Sequence, residues 1–329
     1  MLTTFKATLN PMLMLFLCIA AGFILRKCNI FSKDSGKVMA KMVTWVFAPA
    51  ISFSSMARFC TVETFGSHAT NILLSAVGVF LALTLATVLS RVFVKERCPE
   101  RGVYAYALAF GNSGYVGDPV VLSMFGEEAL AYYKLFCLPL SIAIYTWGIS
   151  MLVPDGEKKS SPLKKILNAP TVALFLGMIV GLTGLGQHLP TFVNQSLDSL
   201  KVCMGPTAML LAGVTVANYS ITGMLKKTKV YVATALRLVV LPAVIIGALF
   251  GLKTLANSLF SLSINHNALY YCFFAVAAPL GLNTVVFPEA FGGNPETGAS
   301  MALISHTLCV ISIPLMYALM VSLFGPIVV

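Results

Sequence analysis

Two stretches of this chain set an amide, a small hydroxyl residue and an acid at matching spacing. Asn112-Ser113 is followed six residues after the Asn by Asp118, beside Pro119; Asn283-Thr284 is followed by Glu289, beside Pro288. Both stretches lie in apolar surroundings. "GNSGYVGDPVV", from Gly111, sits between "VYAYALAF" and "VLSMF", and the second reads "AAPLGLNTVVFPEAFGG" from Ala277. A carboxylate in such a setting needs a proton, a cation or a basic partner, since placing it bare at mid-membrane costs about 2.5–3.5 kcal/mol on insertion scales. Amides and hydroxyls beside an interrupted helix can instead hold an anion, helped by free N–H groups and the positive end of the helix dipole. That is the chemistry of carrying ions and solutes.

Bond-breaking chemistry finds little support. Neither H-E-x-x-H nor G-x-S-x-G occurs. Gly114-Tyr115-Val116-Gly117-Asp118 is one residue too long for the Gly-x-Gly-Asp step of an aspartyl intramembrane protease, and Asp34, Asp155 and Asp198 fall in loops or at span edges. An intramembrane enzyme is the remote alternative. The sequence calls for no metal and no cofactor beyond coupling to H⁺ or Na⁺. Cys18, Cys137, Cys203, Cys272 and Cys309 sit in apolar runs without a C-x-x-C pair, so they read as reduced packing residues.

The elements that must position these residues follow from composition. Of 329 residues, 58% are hydrophobic and only 10% charged, against about 25% charged in soluble domains. No soluble fold could hide that much apolar surface. Stretches of membrane-spanning length give about ten spans. These are Leu9–Leu25, Val38–Met56, Ala69–Ser90, Val103–Phe125 and Ala129–Met151, then Pro170–Leu185, Val202–Ala217, Val230–Phe250, Leu269–Phe291 and Ala299–Leu323. The first is a retained span rather than a secretory signal, because Arg26 and Lys27 follow it directly and no small-residue cleavage pattern closes it. Glu127 and Glu128 read as a solvated first turn of the fifth span.

Charge placement orients the bundle. Arg26, Lys27, Lys33, Lys37 and Lys41 follow the first span; Arg91, Lys95, Arg97 and Arg101 follow the third. Lys158, Lys159, Lys164 and Lys165 lie in the central linker, and Lys226, Lys227 and Lys229 follow the seventh span. The intervening connections hold Arg58, Lys201 or Lys253 alone, or no basic residue. By the positive-inside rule both termini lie outside a cytoplasmic membrane. The net charge of +10 is thereby assigned to loops facing anionic lipid, with no nucleic-acid partner.

The halves repeat. "PMLMLFLCIAAG" from Pro11 aligns with "PTVALFLGMIVG" from Pro170, and the second and seventh spans each carry a mid-span proline, Pro49 and Pro206. Pro139-Leu140 and Pro314-Leu315 mark the fifth and tenth. An odd number of spans in each half inverts the second relative to the first, an architecture that places transporter sites at paired broken helices. The expected organisation is a first repeat over residues 1–153, a cytoplasmic linker over 154–168 and an inverted repeat over 169–329.

At "GNSGYVGDPVVLSMFGEEAL" and "APLGLNTVVFPEAFGGNPETGASMALISHTLCVISIPL" the sequence resembles the auxin efflux carrier family, which includes the plant PIN proteins. The resemblance runs through the whole chain. It implies an all-α polytopic fold in which helices 1, 2, 6 and 7 form a scaffold. Helices 3–5 and 8–10 would form a transport domain where broken helices four and nine cross, one bundle moving rigidly against the other. It also implies a small organic anion as substrate, such as malate, malonate or an auxin-like acid, and a homodimer paired through helices 1, 2, 6 and 7. Three departures stand out: Gly111 where plant members have proline, no ionisable residue in Ala69–Ser90, and Asp118 where the family usually has an aliphatic residue.

These readings assign roles. Gly111, Asn112, Ser113, Pro279, Gly281, Asn283 and Thr284 are the candidate substrate residues, unless the two Asn side chains only cap broken helices. Gly114, Gly117, Pro119 and Pro288 break the helices. Asp118 either binds the coupled H⁺ or Na⁺ or forms a structural ion pair with Lys134 or Arg237. Arg237 neutralises Asp118, attracts the anion or snorkels to the surface. His306 shuttles protons or packs, and Glu289 reaches headgroups or caps a turn. A sodium-coupled symporter of the bile-acid type is the alternative function.

Overall fold

A computed structural model describes residues 2–152, 168–260, 266–285, 288 and 294–327. The linker expected over 154–168 lies outside them except for Asn168, and Glu289 lies outside them too. Every regular element among the described residues is helical. In chain order the main helices are α1 (Leu2–Lys27), α2 (Ser35–Phe59), α3 (Val62–Phe93), α4 (Pro99–Ala109), α5 (Ser113–Phe136) and α6 (Leu138–Leu152). They continue as α7 (Ala169–Leu182), α8 (Thr191–Ala217), α9 (Thr228–Leu259), α10 (Ala268–Val276) and α11 (Pro295–Phe324).

Six of these, α1, α2, α3, α8, α9 and α11, are long and apolar enough to cross a bilayer. Of the rest, α7 is an apolar helix of only 14 residues, and the others fall where the sequence marks an interruption. The fourth expected span is divided between α4 and the start of α5; α5 and α6 meet at a 50° bend; α10 stops at Val276. Within α5 the chain also breaks at Gly126, whose φ of 84° is open to glycine at little cost.

Proline sets a recurring distortion in the longer helices. Pro49, Pro119 and Pro242 each follow a π-helical turn, at Val43–Phe47, Ser113–Gly117 and Leu236–Val240. In each case the residue before the proline donates five residues back: Ala48 to Val43, Asp118 to Ser113, Leu241 to Leu236. A proline ring collides with the carbonyl four residues earlier and has no N–H to offer it, so a wider turn absorbs the conflict. These turns carry Thr44, Tyr115 and Arg237, all of which return below.

The repeat shows in the packing. α1 lies along α8, and α7 lies along α2. A Cβ on Gly22 would stand 2.2 Å from the Leu210 carbonyl oxygen of α8, and one on Gly181 would stand 2.4 Å from the Met56 carbonyl oxygen of α2. Gly22 and Gly181 close the two aligned segments that start at Pro11 and Pro170. Each lets its helix touch a neighbouring backbone, which is how helices associate where no hydrophobic effect separates them from lipid.

Polar contacts tie the two ends of the bundle. At one end Arg58 pairs with Glu127 and Asp198, each at 2.8 Å, and Lys201 pairs with Asp198 at 2.8 Å and with Glu127. Glu127 is therefore not the solvated residue its position in a first turn suggests: it joins α5 to α2 and α8. Roughly 26 Å further along α8, at 1.5 Å per residue, Asn218 accepts from Arg26 Nε at 2.8 Å. Around it Lys229 donates to the Phe93 carbonyl at 2.8 Å and Lys227 pairs with Glu296 at 3.0 Å.

The packing yields a test by thermal unfolding in detergent. Gly22→Val should cost more than the ~1–3 kcal/mol of ordinary overpacking, because its neighbour is backbone. Gly247→Ala, whose Cβ meets nothing within 4 Å, should be neutral or stabilising. Equal melting of the two variants would contradict the close-packing assignment.

Candidate functional site

The two interrupted helices cross. α4 ends at Ala109, and the chain passes through an extended Phe110 and Gly111 before turning helical again at Ser113. α10 ends at Val276, and helix resumes at Asn283. Gly111 and Leu280 form an isolated antiparallel bridge, and the Asn112 N–H donates to the Pro279 carbonyl at 2.7 Å. The Leu280 N–H donates to Ser305 Oγ of α11 at 3.1 Å. Groups that lose their helical partners at one break thus find new ones at the other break and on α11. In an apolar medium such groups must be paired.

Side chains finish the new helix starts. Asn112 Oδ1 accepts from the Tyr115 N–H at 3.2 Å, while its carbonyl accepts from Val116 and Gly117. Thr284 Oγ1 donates to the Gly281 carbonyl at 2.8 Å, and Asn283 Nδ2 donates to the Tyr106 hydroxyl at 2.9 Å. Asn112 is therefore a cap, but only its oxygen is used for capping. Its Nδ2 faces His306 Nε2 at 3.5 Å. His306 Nδ1 lies 2.8 Å from the Ala302 carbonyl, which only accepts, so Nδ1 carries the hydrogen and Nε2 offers a lone pair to Asn112.

Beside the crossover lies a cavity of about 130 Å³, well beyond the ~10–15 Å³ that one water requires. The breaks supply one wall, through Gly111, Asn112, Ser113, Gly114, Gly281 and Asn283. Thr44 and Ser52 of α2, Ser141 of α6, Thr171 of α7 and Met204 of α8 supply the other. Asp118 and Lys134 also line it, joined by an ion pair of 2.6 Å with side chains only 4% and 10% exposed. Chain reversal at Gly126 brings Lys134 back to Asp118. Thr44 and Tyr115, each on a π turn, have hydroxyls 3.5 Å apart.

Not every expected residue reaches this cavity. Pro279 acts through its carbonyl, and Thr284 is fully buried against Gly281. His306 touches Asn112 but lines a separate, much smaller space with Met12, Phe16 and Val116. Arg237 does not snorkel: it is 0% exposed and donates to the Leu108 carbonyl at 3.3 Å. It does not reach Asp118, whose partner is Lys134. Gly117 lies under Tyr133, whose hydroxyl donates to the Ser113 carbonyl at 3.0 Å. Pro119 packs on Gly205 of α8, and Pro288 is buried in helix. Tyr106, Thr44, Ser52, Ser141 and Thr171 escape sequence reasoning, because single hydroxyls in otherwise regular spans carry no spacing signal.

Comparison with known proteins places this geometry in context. The chain matches the membrane transport protein family over residues 7–161 and again over residues 158–317. It is similar to an uncharacterized transporter of Methanocaldococcus jannaschii, at 23% identity over 217 residues, covering 64% of this chain and 69% of that protein. An uncharacterized transporter of Methanothermobacter thermautotrophicus is 22% identical over 215 residues, covering 64% of this chain and 68% of that protein. The protein named "Putative malonate transporter" in Rhizobium meliloti is 24% identical over 184 residues, covering 53% of this chain and 56% of its own length.

The site geometry predicts a coupling between Gly117 and Tyr133. A Cβ at Gly117 would stand 2.2 Å from the Tyr133 hydroxyl oxygen, so Gly117→Ala should cost ~1–3 kcal/mol in detergent melts. Tyr133→Phe should recover part of that loss when combined with it. Purely additive effects would show that the two residues do not meet.

Proposed function

We propose that this chain, which belongs to the auxin-efflux-carrier type of membrane transport protein, is a secondary carrier of a small organic anion. The substrate class is a mono- or dicarboxylate such as malonate, malate or an auxin-like acid, moved across the cytoplasmic membrane by alternating access. The observation that carries this reading is the crossing of two broken helices beside a cavity that holds Lys134 and Asp118. The ten expected spans belong to the same proposal, and six of them are single long apolar helices. In this proposal α4 with the first part of α5 is the fourth span, the rest of α5 with α6 the fifth, and the ninth begins with α10.

The inverted repeat is supported by the paired contacts of α1 with α8 and α7 with α2, and by Gly22 and Gly181 in equivalent places. Sidedness is supported by the clustering of Arg58, Glu127, Asp198 and Lys201 at one end and of Arg26, Lys229 and Lys227 at the other. We assign the second, more basic end to the cytoplasm and both termini to the outside. The scaffold of helices 1, 2, 6 and 7 and its pairing as a homodimer belong to the same proposal. No enzymatic role is proposed, since the family and the relatives are named as transporters.

The ion pair supplies a coupling step. With Asp118 ionised, Lys134 is neutralised by it and offers little to an anion. A proton delivered to the Asp118 carboxylate leaves the Lys134 ammonium unpaired at the cavity wall, where a substrate carboxylate can replace Asp118. One proton and one monoanion then enter a site whose net charge stays unchanged, so the loaded carrier moves through an apolar barrier without carrying extra charge. The second Nδ2 hydrogen of Asn112 and the hydroxyl of Ser52 can orient the second end of the solute.

A proteoliposome uptake screen over mono- and dicarboxylates, with and without proton and Na⁺ gradients, tests the proposal. An inward proton gradient should accelerate uptake of at least one carboxylate; movement of cations or neutral solutes alone would sink the anion reading. Asp118→Asn should remove the pH dependence while retaining uptake. Lys134→Met should lower apparent anion affinity by roughly tenfold or more, the scale of one lost charge-assisted contact. Uptake by Asp118→Asn that still follows pH would place coupling elsewhere.

A further inference from the structure

Arg237 has no role in the carrying step described above, yet it is the largest of the fully buried side chains. It lies in a π turn of α9, with its Nη1 on the Leu108 carbonyl and its Nε and Nη2 without any hydrogen-bond partner. Among the described residues no carboxylate pairs with it. A guanidinium stays protonated at any working pH, so among the described residues this is a buried charge without an ionised partner.

Its surroundings supply the compensation. Arg237 Nη2, the Ala275 carbonyl oxygen and the Ala278 carbonyl oxygen lie 2.0, 2.8 and 3.1 Å from one point, the place a Cβ on Gly111 would take. Leu108, at the end of α4, and Ala275, at the end of α10, belong to the last turns of the two half-helices that run into the crossover. A helix C-terminus carries about half a negative charge, on carbonyls that have lost their donors. Two such ends converge here, and the only full positive charge facing them among the described residues is Arg237. In transporters with discontinuous helices, carbonyl ends of this kind are where a coupling cation is held.

We propose that Arg237 is a tethered counter-ion for the carbonyl ends of α4 and α10, filling the place that a transported cation such as Na⁺ would otherwise take. Gly111 is required because any side chain there would displace the guanidinium. The two faces of the crossover then have separate electrostatics: Arg237 settles the carbonyl ends, and the cavity face is left to Lys134 and the substrate. Resting on the carrier reading, it follows that anion uptake needs no Na⁺.

The test combines melting in detergent, which needs no transported solute, with uptake. Wild-type protein should melt alike in sodium chloride and in choline chloride at equal ionic strength. Arg237→Ala should melt roughly 4 °C lower or more, and low-millimolar methylguanidinium, or in part Na⁺, should restore it while choline does not. Arg237→Lys should stay closer to wild type than Arg237→Met in both melting and malonate uptake, which covers the case in which the alanine variant does not fold. Loss in Arg237→Ala that no small cation recovers, together with equal behaviour of the Lys and Met variants, would overturn the proposal. So would wild-type uptake that stops when choline replaces Na⁺. If no anion is carried at all, the carrier reading fails while the melting comparison still decides the role of Arg237.

Discussion

The structure depends on one requirement: backbone N–H and C=O groups surrounded by apolar matter must find partners. Uninterrupted helices meet it within themselves. At Phe110–Asn112 and Ala277–Leu282 the chain gives up that self-sufficiency in two places, and the two breaks answer each other through Asn112 N–H and the Pro279 carbonyl. Ser305 then satisfies Leu280 from α11. Neither break is tenable alone, so α4, α5, α10 and α11 are tied at one point near the centre of the bundle. What is gained is a place where helix starts and helix ends, with their opposite partial charges, are exposed inside a membrane protein.

Charge is arranged around that point in two layers. On one face the half-helix ends meet Arg237; on the other the half-helix starts border a cavity whose only ion pair among the described residues is Asp118–Lys134. A buried ion pair is weak evidence of stability, because the desolvation of both members offsets their attraction. Its value here is that it can exchange partners. The cluster of Arg58, Glu127, Asp198 and Lys201 at one end is of a different kind: partly exposed, and linking α5 to α2 and α8. It joins the part of the chain assigned to movement with the part assigned to the scaffold, where relative displacement must break contacts.

Much of this was legible in the sequence, for identifiable reasons. Span length and hydropathy are set by the bilayer, so α1, α2, α3, α8, α9 and α11 could be read directly. Gly, Asn and Pro crowded together in an apolar run mark an interrupted helix, so the breaks at Asn112 and Asn283 were visible, as was the repeat through Pro11 and Pro170; a single proline such as Pro206 or Pro314 leaves its helix continuous. Three-dimensional partnerships were not. The sequence offered Lys134 and Arg237 as alternative partners for Asp118, and the choice of Lys134 follows from the reversal at Gly126, which the sequence does not locate to the residue. Arg237 reads as a snorkelling side chain by its nearness to Lys229, and only the π turn before Pro242 shows it turned inward. Glu127 looks solvated until Arg58 and Lys201 arrive from distant helices. The glycine at 111, a departure from the plant pattern, becomes intelligible once Arg237 is seen to occupy its Cβ position.

The central claim is that the crossover cavity is where an anion is held, against Lys134. The most direct measurement is a cryo-EM structure of the purified protein with saturating malonate at mildly acidic pH. The account predicts density for the solute inside the cavity, with one carboxylate on Lys134 Nζ, the Lys134–Asp118 contact lengthened, and the other end near Asn112 or Ser52. Solute density at another position, or an empty cavity with the 2.6 Å Asp118–Lys134 pair intact in protein that is carrying malonate, would contradict it.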